Sequence, residues 1–423
     1  MVTKAMRLHG KRDLRLETFE LPPIKEDEIL VRVMSDSLCM SSYKAAELGP
    51  QHKRVPDNVA ENPVIIGHEF CGEIVEVGAK WADMWKPGAK FAIQPAINYK
   101  GSLNAPGYSY AHLGGGATYG IVPHEFMECG CLLPYEGEAF FHGSLAEPMS
   151  CIVGAFHASY HTKAGSYEHA MGVKAGGRMA ILGGAGPMGL GAVDYALHSP
   201  RKPSVLVVTD IDGVRLKRAA ELTPPDKAAL MGVDLHYINT SGMTDAVSAL
   251  FNIAGPDGAT GGYDDVFIFT PVTPVVEMGD RILGYDGCLN FFAGPADPSF
   301  SAKLNIFNVH YNATHLVGTS GGNTEDLKES LALMESGRVN PAAMITHVGG
   351  LNAAVETTLN LPEIPGGKKL IYTHIDLPLT AIDDMENSDD PVLRQTAEIV
   401  GMHNGLWCAE AENYLLNAKR LKE

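Results

Sequence analysis

The sequence predicts an α/β protein of two domains, a β-rich unit of irregular strands and a doubly wound parallel sheet. Three observations carry this. At 423 residues the chain exceeds the size at which one hydrophobic core usually keeps growing. Roughly the first 145 residues are short apolar runs broken by Gly and Pro. From about Lys174 apolar strands alternate with helical segments, which is the pattern parallel strands impose because they need crossover helices.

Taken in order, "EILVRVMS", "PVIIGHEFCGEIVEVG" and "WKPGAKFAI" read as strands of the first unit. The second unit runs through "GRMAILGG", a helix from about Pro187, "SVLVVTD", a helix from near Gly213, then "DLHYINT", "DDVFIFT", "GCLNFFAG" and "ATHLVGTSGG". After Gly322 a helix, "TEDLKESLALMESG", precedes a mixed segment ending in "GGKKLIYTHI". The acidic "IDDMENSDDP" reads as a solvated linker, and "VLRQTAEIV" and "AENYLLNAKRLKE" beyond it have helical spacing. The expected division assigns residues 1–148 and 322–423 to the β-rich domain and 149–321 to the parallel-sheet domain.

Composition narrows the function. With 45% hydrophobic and 20% charged residues the chain is an ordinary globular protein. A formal charge of -17, without any run of Lys and Arg, excludes a nucleic-acid or anionic-membrane surface and favours a small-molecule ligand. The N-terminus lacks the apolar core of a signal peptide, and no stretch approaches the roughly 18 apolar residues of a membrane helix, so a cytoplasmic protein is expected. Seven thinly spread cysteines make reduced thiols or metal ligands better readings than a disulfide framework.

Gly184-Ala185-Gly186-Pro187-Met188-Gly189 is a G-x-G-x-x-G that leaves an apolar strand and opens a helix. Gly184 suits a tight turn, Gly186 the close approach of a pyrophosphate, and Gly189 close helix packing, with phosphates at the helix N-terminus. The next strand ends in Asp210, 26 residues past Gly184, where the usual spacing is about 20. A carboxylate there accepts hydrogen bonds from a ribose 2′-OH and repels a 2′-phosphate, which favours NAD over NADP. Arg215 and Arg218 follow closely and could accommodate a phosphate, so NADP stays open.

Cys39 in "SLCMSSYK", His68 and Glu69 in "GHEF" and Glu147 in "LAEPMSC" form the best candidate ligand set. Zinc accepts thiolate, imidazole and carboxylate in a tetrahedron, and a catalytic site keeps one position open. Each residue alone also reads as a buried Cys, a core His or a capping Glu. Together, "GHEFCGEIVEVG", "WKPGAKF", the upstream Cys-x-Ser and the "GGAGPMG" loop resemble the zinc-dependent medium-chain alcohol and polyol dehydrogenases over residues 5–375. That resemblance implies a GroES-like catalytic domain, a Rossmann cofactor domain and one catalytic zinc in the cleft between them. It implies Cys39 and His68 as ligands, Glu69 and Glu147 sharing the remaining positions, and Ser41 as proton relay, continued by His52 or Lys44. It implies cofactor contacts at the glycine loop and Asp210, and around Thr270, Val272, Phe292 and Ala293. It also implies a homo-oligomer, a dimer or a tetramer.

The chain departs from the family in several places. Residues 94–128, where many relatives hold a second, structural zinc, contain no cysteine, so one zinc per chain is expected. Cys129-Gly130-Cys131, in a strand-like run, is two thiols short of a closed site and reads as structural. Ser42 stands where an Asp commonly braces the His ligand. Trp81 replaces a smaller residue, residues 223–230 resemble an insertion, and the tail after about Asp376 is additional. "CMSSYK", "GGGATYGIVPHEF" and that tail look most like bacterial sugar-phosphate reductases, which implies interconversion of a ketose phosphate and a polyol phosphate. Lys44, His52, Lys53 and Arg54 are the local basic group that could meet a phosphate, or an exposed basic loop. Other polyol or amino-alcohol dehydrogenases, and a non-catalytic cofactor-binding relative, remain alternatives.

Overall fold

The computed structural model describes residues 1–163, 165–255 and 261–421. Two compact units emerge: Met1–Pro148 with Asn323–Gly337 and Pro341–Glu423, and Met149–Gly322 with Arg338–Asn340.

The first unit is built on an eight-stranded sheet. Its strands run in the order Thr380–Ala381, Ile345–Gly350, Lys368–Tyr372, Ile29–Leu38, Phe70–Val77, Lys90–Ile93 and Leu132–Pro134, with Tyr119–Val122 also paired to Ile29–Leu38. A second sheet joins Asp13–Glu20, Val2–Gly10 and Val64–Ile65. "PVIIGHEFCGEIVEVG", expected as one strand, is therefore two. Val64 pairs with Leu8 in one sheet, whereas Phe70–Val77 lies antiparallel to Ile29–Leu38 in the other. The joint is Gly67, at φ +105°, where a Cβ would stand 2.3 Å from Asp36 Oδ2. Only glycine combines that dihedral with that approach. His68 and Glu69 follow the turn directly and belong to the joint, not to a strand.

The C-terminal extension is integral to this unit. Helices Pro391–Met402 and Ala409–Lys419 contribute Leu393, Ile399, Val400, Trp407 and Leu415 to a core with Val348, Leu370 and Tyr372. Asp390 caps the first helix by accepting from the Val392 N–H, and Pro391 occupies its first turn. The acidic stretch before them is not a solvated linker. Ile382–Asn387 forms a 3-10 helix that buries Ile382 and Met385 while its carboxylates face out. Cys129-Gly130-Cys131 is a turn rather than a strand, with Gly130 at φ +63° between helix His124–Glu128 and strand Leu132–Pro134.

One buried chain of donors ties the extension to the sheet. Trp407 Nε1 donates to Tyr372 Oη at 2.8 Å, and Tyr372 Oη donates to Glu412 at 2.6 Å. Glu412 also accepts from the Phe140 and Phe141 backbone N–H groups at 2.6 and 2.9 Å. These open helix Phe140–Ala158, whose free N–H groups it satisfies from the far end of the sequence.

The second unit is a six-stranded parallel sheet in the order Asp234–Asn239, Val205–Asp210, Arg178–Leu182, Tyr263–Ile268, Leu283–Phe291 and His315–Gly318. Arg178–Leu182 is flanked by the second and fourth strands of the unit, so the winding reverses beside it, and ligands bind at the carboxyl ends of such strands. The insertion after helix Gly213–Leu222 folds as a short helix, Pro225–Leu230. His161 hydrogen-bonds the Asp265 carboxylate at 3.2 Å and the Asp286 carbonyl at 3.1 Å, cross-linking the amino-terminal edge of the sheet.

Glu412→Ala would strand three buried donors, at about 1–3 kcal/mol each, so the urea midpoint should correspond to a loss of at least about 3 kcal/mol. Burial raises the Glu412 pKa from 4.5 to about 7 despite its donors. A raised pKa means its contribution is complete below pH 4.5 and lost as pH rises through about 7. Glu412→Gln should flatten that segment of the stability–pH profile.

Candidate metal centre and cofactor cradle

Three elements of the first unit converge on the metal-type donors. Cys39 lies at the end of strand Ile29–Leu38 and caps helix Met40–Leu48, which places Ser41 and Ser42 in its first turn. His68 and Glu69 arrive from the Gly67 joint. One ligand atom each of Cys39, His68 and Glu69 lie within 4.8 Å of one another. Glu147, from helix Phe140–Ala158, is not among those three, yet its charge acts on Asp36, Cys39, Tyr108 and Lys368 around them.

The hydrogen bonds assign the faces of the imidazole. Ser42 Oγ is 3.3 Å from His68 Nδ1, so a hydroxyl braces the ring. Nε2 is left facing Ser41 Oγ and Tyr108 Oη, each at 3.3 Å, and Ser41 Oγ donates to Cys39 Sγ at 3.0 Å. Burial pulls the His68 pKa down to about 4, which keeps the ring a neutral lone-pair donor. Desolvation, and next Glu69, push the Cys39 thiol up to about 12. A cation would reverse this by stabilising the thiolate, so its binding releases a proton and strengthens as pH rises.

Glu69 is engaged from behind. Lys368 Nζ donates to its two oxygens at 2.6 and 2.5 Å, and Ser37 Oγ donates to Oε2. The side chains of Lys368 and Glu69 are only 8% and 2% exposed. Burial is the largest single influence and opposes the Lys368 charge, but Glu69, Cys39 and Glu147 together outweigh it and the pKa rises. Beneath them Asp36 accepts from the Glu69 backbone N–H at 3.2 Å, and burial raises its carboxyl well above the ordinary range. Sequence reasoning missed Lys368, Ser37 and Tyr108. The one available signal was two lysines opening the otherwise apolar strand Lys368–Tyr372, all of it buried.

In the second unit the remaining residues collect at the carboxyl ends of the strands. Gly186 caps helix Pro187–His198 with open space where its Cβ would be, and Pro187 and Met188 start the helix. At Gly189 a Cβ would lie 2.2 Å from the Gly184 carbonyl, so that glycine is a packing requirement. Asp210 accepts from the N–H groups of Ala185, Ile211 and Asp212, at 3.2, 2.8 and 3.1 Å, and so braces the glycine loop. Arg215 turns to Asp212, with Nε 3.4 Å from its carboxylate. Thr270 packs over Gly183, and Val272 caps helix Thr273–Arg281. The Phe292 and Ala293 N–H groups donate to the Ile268 carbonyl, at 3.2 and 3.0 Å, holding that loop against the strand end.

Comparison with known proteins agrees with this geometry. Residues 25–130 match the alcohol dehydrogenase GroES-like domain. The chain is 52% identical to mannitol-1-phosphate 5-dehydrogenase of Aliivibrio fischeri and 50% identical to L-sorbose 1-phosphate reductase of Klebsiella pneumoniae, in both cases over 98% of this chain and 97% of the relative. Its fold is that of 2R,3R-butanediol dehydrogenase from Bacillus subtilis, with a TM-score of 0.69 at 21% identity, covering 88% of this chain and 99% of the other. A GroES-like unit and a parallel-sheet unit with this glycine loop define a dehydrogenase of the medium-chain class. The chain belongs to the zinc-dependent medium-chain alcohol and polyol dehydrogenases, and it is an oxidoreductase of that family.

Lys368→Met should cost about 3–5 kcal/mol in urea unfolding, because it leaves the Glu69 carboxylate buried without a counter-charge. Combining it with Glu69→Gln should recover most of the loss, and a double-mutant cycle with additive effects would refute the coupling.

Proposed function

We propose that the enzyme interconverts a ketose phosphate and a polyol phosphate with zinc and a nicotinamide cofactor, the pair being L-sorbose 1-phosphate and D-glucitol 6-phosphate. The observation that carries this is half-identity over nearly the whole length of two sugar-phosphate oxidoreductases, together with a thiol, a neutral imidazole and a carboxylate gathered on one spot. The same reading makes the protein a cytoplasmic homo-oligomer, a dimer or a tetramer; no helix among the described residues is long and apolar enough to cross a membrane.

The donor set fits zinc: Cys39 and His68 Nε2 as soft and borderline ligands, with a carboxylate beside them. Both Glu69 oxygens are occupied by Lys368, which supports Glu147 as the direct ligand and Glu69 as the charge behind it. When bound, zinc supplies Lewis acidity at the substrate oxygen and the nicotinamide supplies or accepts the hydride. The chain does the rest. Ser41 holds and moves the proton at the substrate oxygen, since its hydroxyl lies beside both Cys39 Sγ and His68 Nε2. Ser42 fixes the tautomer by taking Nδ1. Asp210 receives the ribose hydroxyls, the Gly186 space admits the pyrophosphate, and the pairing of Arg215 with Asp212 supports NAD over NADP.

Oxidation of NADH and NADPH should be followed spectrophotometrically against ketoses with and without a phosphate. Turnover with NADH and L-sorbose 1-phosphate is expected, abolished by Cys39→Ala; tenfold faster turnover with NADPH would remove the role given to Asp210. Metal analysis should find one zinc per chain. Ser42→Ala should weaken zinc binding by about 10–100-fold in a chelator competition, without loss of fold by circular dichroism.

A further inference from the structure

We propose that Arg54, with His52 and Lys53, is the subsite that holds the phosphate of the substrate. The inference rests on the sugar-phosphate reading above and adds which residues recognise the phosphate.

Tyr108 links this basic loop to the metal-type donors. Its hydroxyl is 3.3 Å from His68 Nε2, while the His52 ring stacks on it at 5.4 Å and 7° and the Arg54 guanidinium carbon stands 5.5 Å from its ring centre. One aromatic side chain therefore meets the candidate ligand imidazole at its polar end and an imidazole and a guanidinium along its ring.

The loop is pinned so that its side chains stay available. The Arg54 carbonyl accepts from Ser109 Oγ at 2.6 Å, and the Arg54 N–H donates to His52 Nδ1 at 3.3 Å. That second bond puts the His52 proton on Nε2, ready to donate. Arg54 is half-buried, and among the described residues its guanidinium meets no carboxylate. Arg7, Arg12 and Arg15, by contrast, each pair with a carboxylate. A half-buried guanidinium with five N–H donors, packed on an aromatic ring next to the reaction centre, suits a dianion bound through two parallel hydrogen bonds. Lys53 is exposed and adds charge at the rim.

A phosphate reaching this loop could belong to the sugar or to the cofactor, and kinetics separate them. Steady-state constants for L-sorbose 1-phosphate, L-sorbose and NADH should be measured for the wild type, Arg54→Gln and Arg54→Lys, with zinc content determined for each. Arg54→Gln should raise KM for the sugar phosphate about a hundredfold and collapse the preference for phosphorylated over free sugar by a similar factor, at unaltered zinc content. Arg54→Lys should recover part of it. Inorganic phosphate should inhibit the wild type competitively against the sugar phosphate, and Arg54→Gln should lose that inhibition. A rise in KM confined to NADH would reassign the loop to the cofactor and overturn the proposal, as would an intact preference in Arg54→Gln. If the wild type itself shows no preference for phosphorylated sugars, the sugar-phosphate reading fails and the subsite with it.

Discussion

A carboxylate and an ammonium, both sealed from water, face one another at the centre of the first unit. Neither Glu69 nor Lys368 could be buried alone, since an isolated ion loses several kcal/mol of hydration that nothing repays. The pair holds the Gly67 joint to strand Lys368–Tyr372 and sets the local charge. With the proposed zinc bound, the two positive charges of the metal and one of Lys368 meet three negative ones from a Cys39 thiolate, Glu69 and Glu147. A neutral cluster of this kind can sit in a low-dielectric interior, whereas the same ligands without Lys368 would carry a net charge there.

The C-terminal extension shares that strand. Tyr372, four residues beyond Lys368, joins Trp407 and Glu412 in one run of hydrogen bonds. Through Phe140 and Phe141, Glu412 also caps the helix on which Glu147 stands. The extension is thus a structural part of the unit that carries the metal-type donors. Its apolar residues fill a core that would otherwise lie open on the outer face of Ile345–Gly350 and Lys368–Tyr372.

Much of this was legible in the sequence because local patterns carried it. The glycine loop, the alternation of strand and helix, and the carboxyl-terminal position of Asp210 are short-range signals, and the parallel sheet follows from them. Cys39, His68 and Glu69 stood out because thiol, imidazole and carboxylate are rare in apolar runs. What escaped depends on distant contacts. In "PVIIGHEFCGEIVEVG" the glycines at 67 and 72 suggest a bend, but that its two halves join different sheets depends on partner strands distant in sequence. Ser42 looked like the loss of a brace, yet a hydroxyl at the same place in the helix reaches the same ring nitrogen. Tyr108 and Lys368 gain meaning only once the fold brings them beside His68 and Glu69. The acidic stretch was misjudged because two buried residues, Ile382 and Met385, outweigh four carboxylates that need only face water.

The separation of the two ions along the chain has a consequence for how the protein is made. Glu69 leaves the ribosome 299 residues before Lys368, and Glu412 later still. Through most of synthesis the Glu69 carboxylate has no Lys368 to be buried against. The parallel-sheet unit lies between the two in sequence, so all of its residues precede Lys368 along the chain and are free to fold before the pair can form.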